Sequence, residues 1–365
     1  MWFDAIQEWL QRRRVMREMR ASERRDERDF ISDFNQIMED AENAIKVGER
    51  DRAGQLWHQA RLRFPNLTLA SDLGLRILIT LNRLDEAEAL MLHGCQRFPR
   101  TPFYFAGYAQ IPEHRRNFAE AVARAAQLQK KFPSDPIGYS IAANSLRALG
   151  RYDEAKSVLR RGLGFAPSNI HLWLDSGQLA IDTQNWQEGL TIYTKAKAMF
   201  QHIAGPLGIA RCLKELGRYD EAEAELREIH TSFPMEIQPW MELASIAEIR
   251  ENWDEADRRW AEVRKRFSMS SVGFIQGRRA LREVGREAEI EPLLSEAVDR
   301  IDTDAELLSV YARIAHDRGD WAAAEPRWAL MRERFPDVRE GWERGAEAVS
   351  ALGRDADAAQ LRVGG

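Results

Sequence analysis

Cysteine is almost missing from this chain. Its two cysteines, Cys95 and Cys212, form no CxxC pair, so neither a disulfide framework nor a zinc site is indicated, and a reducing cytoplasm suits the chain best. Long apolar runs are missing too. The most apolar stretch, Leu73 to Leu81, is broken by Arg76 and falls far short of the ~20 residues that cross a bilayer. The first residues carry Asp4 and Glu8 where a secretory signal needs an apolar core, which argues against a signal peptide. An excess of positive charge is also lacking. With 53 Lys and Arg against 58 Asp and Glu, the net charge of -5 offers no global field to gather nucleic acid.

Catalytic signatures are equally scarce. The seven histidines are scattered without HExxH or HxH spacing, no strand is predicted, and no glycine-rich loop is placed to cradle phosphate. No metal, cofactor or catalytic residue is therefore expected, and an enzyme is not the expected reading.

What the chain has is a period. Phe64-Pro65, Phe98-Pro99, Phe132-Pro133, Ala166-Pro167, Phe233-Pro234 and Phe335-Pro336 fall on a ruler of 34 residues with one step of 33. A second ruler keeps the same phase through LNRLDEA (Leu81 to Ala87), LGRYDEA (Leu149 to Ala155), LGRYDEA again (Leu216 to Ala222) and RENWDEA (Arg250 to Ala256). Gly48, Asn82, Gly150, Gly217 and Gly319 suit the left-handed backbone that ends a helix, and the Asp that follows is expected to cap the next one. Phe-Pro at the far end stops the second helix.

Between these stops, apolar residues recur at three and four, as in Tyr139, Ala142, Ala143 and Leu146, which predicts amphipathic helices. Small residues at Ala143, Gly177, Ala210, Ala244 and Ala312 permit close helix approach, while Trp57, Tyr193, Trp260 and Trp328 fill the space between hairpins.

These residues resemble the tetratricopeptide repeat. Trp240, Leu243, Ala244, Ala247, Ala256, Trp260 and Val263 look like one copy, and Trp173, Gly177, Ala180, Gly189, Tyr193 and Ala196 like another. The resemblance implies an all-α, right-handed superhelical α-solenoid of nine to ten helix-turn-helix repeats. Nine repeats are placed over residues 34–338, after an amino-terminal segment and charged linker (1–33) and before a partial repeat acting as a cap (339–365). Pro112, Arg278 and Ile290 depart from the pattern, so distortion is expected in repeats three and eight.

The resemblance also implies a concave groove lined by the first helix of each repeat. The ninth position of each repeat is polar throughout, including Arg76, Gln110, Asn144, Gln178, Arg211, Arg279 and Arg313, and the twelfth adds Arg147, Lys214, Arg282 and His316. Two basic strips are expected: Asn144, Arg147, Arg211 and Lys214, then Arg279, Arg282, Arg313 and His316. Such groups suit an acidic segment or a chain terminus. The competing expectation is that they are solvated, or paired with Asp175, Glu215, Glu283 and Asp317.

At the amino terminus, Trp2, Ile6, Trp9 and Leu10 form an apolar face followed by Arg12, Arg13 and Arg14. Three roles are open for it: a cover for the first repeat, a partner contact, or a peripheral membrane contact through residues 1–16. The leading functional expectation is a non-catalytic scaffold or adaptor in the cytoplasm that holds a peptide or partner helix. The alternatives are an accessory subunit of an envelope polymer synthesis, assembly or secretion machine at the inner face of the membrane, and an RNA-binding helical repeat, disfavoured by the acidic balance.

Overall fold

The computed structural model describes residues 27–63 and 68–364, so Trp2, Ile6, Trp9, Leu10, Arg12, Arg13 and Arg14 lie outside the described residues. Every regular element among the described residues is a helix, and the helices follow one another in antiparallel pairs. The pairs are α1 (Glu27–Lys46) with α2 (Arg50–Arg63), α3 (Thr68–Thr80) with α4 (Leu84–Arg97), and α5 (Pro102–His114) with α6 (Phe118–Lys131). Next come α7 (Ile137–Ala148) with α8 (Tyr152–Phe165), then in chain order α9 (Ile170–Asp182) and α10 (Trp186–Met199), followed by α11 (Ala204–Glu215) with α12 (Tyr219–Ser232). Then α13 (Ile237–Ile249) pairs with α14 (Trp253–Arg266), while α15 (Val272–Gln276) and α16 (Arg278–Glu283) together face α17 (Ile290–Arg300). The last pairs are α18 (Ala305–Asp317) with α19 (Trp321–Arg334), and α20 (Arg339–Ala351) with α21 (Asp355–Gly364). No described helix is long and apolar enough to cross a membrane.

One residue in each hairpin turn adopts a left-handed backbone: Gly48, Asn82, Arg116, Gly150, Gln184, Gly217, Glu251, Gly285, Gly319 and Gly353. The turn at Asn82 shows why. Asn82 donates to the Ile79 carbonyl at 2.9 Å and Arg83 to the Leu78 carbonyl at 2.8 Å, the paired bonds that satisfy carbonyls left over at a helix end. Arg116, Gln184 and Glu251 hold this backbone without being glycine.

The Asp of the repeated DEA does not cap the second helix. Arg83, Arg151 and Arg218 occupy the cap position and make no side-chain cap bond. Each arginine instead brackets the first turn by a two-pronged contact with the glutamate three residues on, as Arg151 does to Glu154 at 2.7 Å. Side-chain caps come from the residue directly after the left-handed one, namely Asn117, Asn252 and, as an aspartate following Gly319, Asp320. Asp85 and Asp220 still sit in the positive first turn, and they pair with arginines of the following hairpin, Arg115 and Arg250, both at 2.6 Å.

The array divides into two compact units, one up to Ile192 and one from Tyr193 onward, the division falling inside α10. In the first unit Trp57, Leu73, Ile77, Met91, Tyr104 and Ile111 form one cluster, and Tyr139, Leu146, Leu159 and Leu172 another. In the second, Trp260 and Val263 pack on Ala244 and Ala280, while Ile290, Leu294, Leu307, Trp328 and Met331 form the largest cluster. Close approach depends on missing side chains. A methyl group at Gly94 would stand 1.9 Å from the Tyr104 ring, so the second helix of one pair lies flush on the first helix of the next.

The expected distortion occurs in repeat eight and not in repeat three. In repeat eight the first helix breaks at Gly277, where an added methyl would meet Arg264 and Trp260 at 2.6 and 2.9 Å. Arg278 then takes the Ile275 carbonyl with its own side chain at 2.7 Å. Residues Glu287–Glu289 form a 3-10 turn where the other repeats begin their second helix, and Ile290, larger than the usual alanine, is buried behind it. In repeat three, Pro112 cannot donate to the Tyr108 carbonyl, but Arg124 does so at 3.0 Å, and α5 runs on to His114.

Candidate functional site

The first helices α5, α7 and α9 each turn one face outward. Gln110 and Glu113 lie one turn apart on α5, Ile137, Ser140, Ile141 and Asn144 share a face of α7, and His171 and Asp175 share a face of α9. With Pro136 and Asn169 from the preceding turns, these side chains enclose a cavity of about 260 Å³ within the first unit. That is below the roughly 300–1,000 Å³ of small-molecule sites. It suits one side chain of a larger ligand.

Two carboxylates define its chemistry. Burial, and then the negative charge of Asp175, push the Glu113 carboxyl above its ordinary range, against a 2.7 Å hydrogen bond donated by Ser145 of the next repeat. Burial likewise raises Asp175, although Ser140, Arg147, His171 and Asn144 favour its charged form. The Oδ2 of Asp175 is buried and has no hydrogen-bond partner. Ser140 and Asn144 serve the carboxyl as hydrogen-bond donors, so the uncompensated part of its burial is the one unpartnered oxygen.

Other half-buried acids of the array are treated differently. Glu88 lies between Arg115 and Arg124, Glu291 between Arg318 and Arg327, and Glu242 accepts from Lys214 at 2.6 Å. Burial raises Glu88, but hydrogen bonds from the two arginines outweigh it and hold the carboxyl below the usual range. Among the described residues, neither Glu113 nor Asp175 has a lysine or arginine within ion-pair distance.

Most of the cations expected to line a groove are engaged within the chain. Arg76 pairs with Glu42 at 2.9 Å, Arg147 with Asp182 at 2.6 Å, and Arg313 with Glu340 at 2.6 Å. Arg211 and Lys214 share Glu242, and Arg282 reaches Glu287 at 3.4 Å. Gln178 donates to Asp182 at 2.8 Å. Arg279 stacks its guanidinium over Trp253 at 4.9 Å. His316 is buried, accepting from the indole of Trp328 at 3.2 Å, which makes it a core residue instead of a groove contact. The partners are mostly one repeat away, and none of the four acids named in the sequence analysis forms these pairs.

Asn144 and Arg147 belong to one unit and Arg211 and Lys214 to the other, so the first strip is described only in its halves. Of the expected residues, the structure gathers Gln110 and Asn144 around the cavity. Glu113, His171 and Asp175 also line the cavity and are not among the residues expected to line the groove. Glu113 occupies the same twelfth position as Arg147 and Lys214, with the opposite charge.

Comparison with known proteins places this geometry in a family. Residues 114–170 and 142–206 match one profile of the tetratricopeptide repeat, and residues 207–234 match a second. Residues 114–234 therefore carry the tetratricopeptide repeat, and the left-handed turn residue recurs on either side of that stretch. No curated protein is matched by sequence.

Solved structures are similar in fold only. A tetratricopeptide repeat protein from Parabacteroides merdae is 13% identical, covering 68% of this chain and 98% of its own, with a TM-score of 0.46. PilW, a widely conserved type IV pilus biogenesis factor, is 17% identical, covering 58% and 98%, with a TM-score of 0.47. A thermophilic protein of the same repeat class from Thermus thermophilus is 20% identical, covering 48% and 98%, with a TM-score of 0.41.

Proposed function

We propose that this chain is a non-catalytic scaffold that holds a partner polypeptide against the outward face of its first helices. The observation that carries this reading is the cavity itself, which draws its lining from three successive repeats and is sized for a side chain. A repeat array offers the same face many times, so an extended segment can run from one repeat to the next while a single residue anchors it. Gln110 and Asn144 suit that arrangement because side-chain amides both donate to and accept from a peptide backbone.

Cross-linking with mass spectrometry of the native complex tests the proposal. Cross-links from the partner should cluster on residues flanking α5, α7 and α9, and Ile137→Arg, which fills the mouth of the cavity, should weaken partner recovery while leaving the melting temperature close to that of the parent. Cross-links confined to the second helices α6, α8 and α10 would remove this face from consideration.

A further inference from the structure

We propose that the cavity between α5, α7 and α9 recognises an organic cation, the guanidinium or ammonium group of a partner polypeptide, held between the carboxylates of Glu113 and Asp175. The inference rests on the reading of this face as a polypeptide-binding surface and adds the chemistry of the residue that anchors there.

Three observations converge on it. The first is the unfilled acceptor capacity. Ser140 and Asn144 serve the Asp175 carboxyl but leave its buried Oδ2 without a donor, and Glu113 is served by the Ser145 hydroxyl alone. A guanidinium with five N–H donors, or an ammonium with three, supplies what both lack.

The second is charge. Each carboxylate lies in a setting that disfavours its ionised form, and the negative charge of Asp175 adds to the effect of burial on Glu113. The remaining charged groups facing the pair are His171, exposed at the rim, and Arg147. Arg147 is already committed to Asp182 and Asn144. A cation arriving from outside is therefore the missing counter-charge, and elsewhere in this array such a place is filled by an arginine or lysine of the chain itself, as at Glu88 and Glu242.

The third is shape. Pro136, Ile137 and Ile141 give the cavity an apolar wall beside the acids, and Ile137 is 47% exposed at its edge. A long side chain with a methylene stem and a charged head matches a pocket that is apolar on one side and anionic on the other. No group of three or more His, Cys, Asp or Glu able to hold a metal ion occurs among the described residues, which separates this site from a metal centre.

The probes are four pools of acetylated, amidated heptapeptides with degenerate flanks and a fixed central residue: arginine, lysine, citrulline or glutamate. They are offered to the full-length protein, and the retained fraction is measured. Retention of the arginine or lysine pool roughly tenfold above the citrulline pool is expected, and the more strongly held of the two identifies the head group. Free arginine should compete and free citrulline should not. The preference should disappear in Glu113→Gln and Asp175→Asn, both of which should melt at or above the temperature of the parent because each removes a desolvated charge. In the unaltered protein it should also fade on acidification, as the raised carboxylates take up protons, a readout that does not depend on any variant folding.

Equal retention of the arginine, lysine and citrulline pools, or a cation preference that survives Asp175→Asn, overturns the inference. If partner cross-links still map to α5, α7 and α9 under that outcome, the scaffold reading stands and only the cation chemistry falls.

Discussion

The Arg124 guanidinium donates to the carbonyl of Tyr108 at 3.0 Å while its ring-facing side lies 3.8 Å from the centre of the Tyr108 aromatic ring. The same pairing recurs between Arg327 and Tyr311, again with a 3.0 Å bond to the carbonyl and stacking on the ring. Arg259 reaches the Leu243 carbonyl in a third repeat. These carbonyls have a second donor whether or not the helix supplies the first, so Pro112 can replace an N–H donor in repeat three without leaving an acceptor buried and empty.

Arg124→Ala should therefore destabilise the protein by about 2–4 kcal/mol, since it removes a bond to the Tyr108 carbonyl and leaves Glu88 with one fewer partner. Adding Pro112→Ala should recover part of the loss by restoring the helical donor. Urea denaturation of the two single variants and the double variant measures the coupling, and strict additivity would mean that the proline and the arginine are independent.

The non-glycine residues in left-handed turns carry backbone strain. Arg116→Gly, Gln184→Gly and Glu251→Gly should each be neutral or stabilising, by up to about 1 kcal/mol, whereas Gly150→Ala should cost about 1 kcal/mol. Thermal melts of the four variants check the sign, which is opposite to the usual effect of adding glycine to a chain.

Stability should respond to acid in opposite directions at two kinds of carboxylate. Glu113 and Asp175 have folded pKa values above their unfolded ones, so their contribution is greatest at low pH and is lost as pH rises through the folded values. Glu291 and Glu340 are held low, first by hydrogen bonds from Arg327 and Arg313, and their contribution is lost as pH falls below the ordinary carboxylate range. Asp175→Asn should accordingly melt above the parent at neutral pH, with the gap closing on acidification. Paired melting curves across that range provide the measurement.

Neither thiol should be reactive in the folded protein. Burial pushes both Cys95 and Cys212 up to about 11, and both are buried. Alkylation by iodoacetamide near neutral pH should be slow in buffer and fast in denaturant, so that mass-resolved labelling reports local opening of α4 and α11.

Periodicity made the fold readable before any coordinates. The turn glycines, the Phe-Pro stops and the large-on-small packing are each local requirements of a helix hairpin, and Trp260 on Ala244 or Trp328 beside Ala312 follows from them. The site was less readable because it depends on which charges meet across repeats. Arg147 and Arg313 looked available in sequence, and only packing shows that Asp182 and Glu340 reach them from the neighbouring repeat. The same packing leaves Glu113 without a cation, a fact that no spacing along α5 contains.

The three-helix cavity has a consequence for how such a protein can change. Its frame is repeated along the array, but its acids are not: one repeat earlier, the positions of Glu113, Ser140 and Asp175 are held by Ile79, Ala106 and Ile141, and one repeat later by Arg147, Leu174 and Gly208. Ligand choice here is therefore furnishing on a periodic frame. Two substitutions could erase it or move it to another address, leaving a chain that shares the whole helical framework with its ancestor and none of its partners.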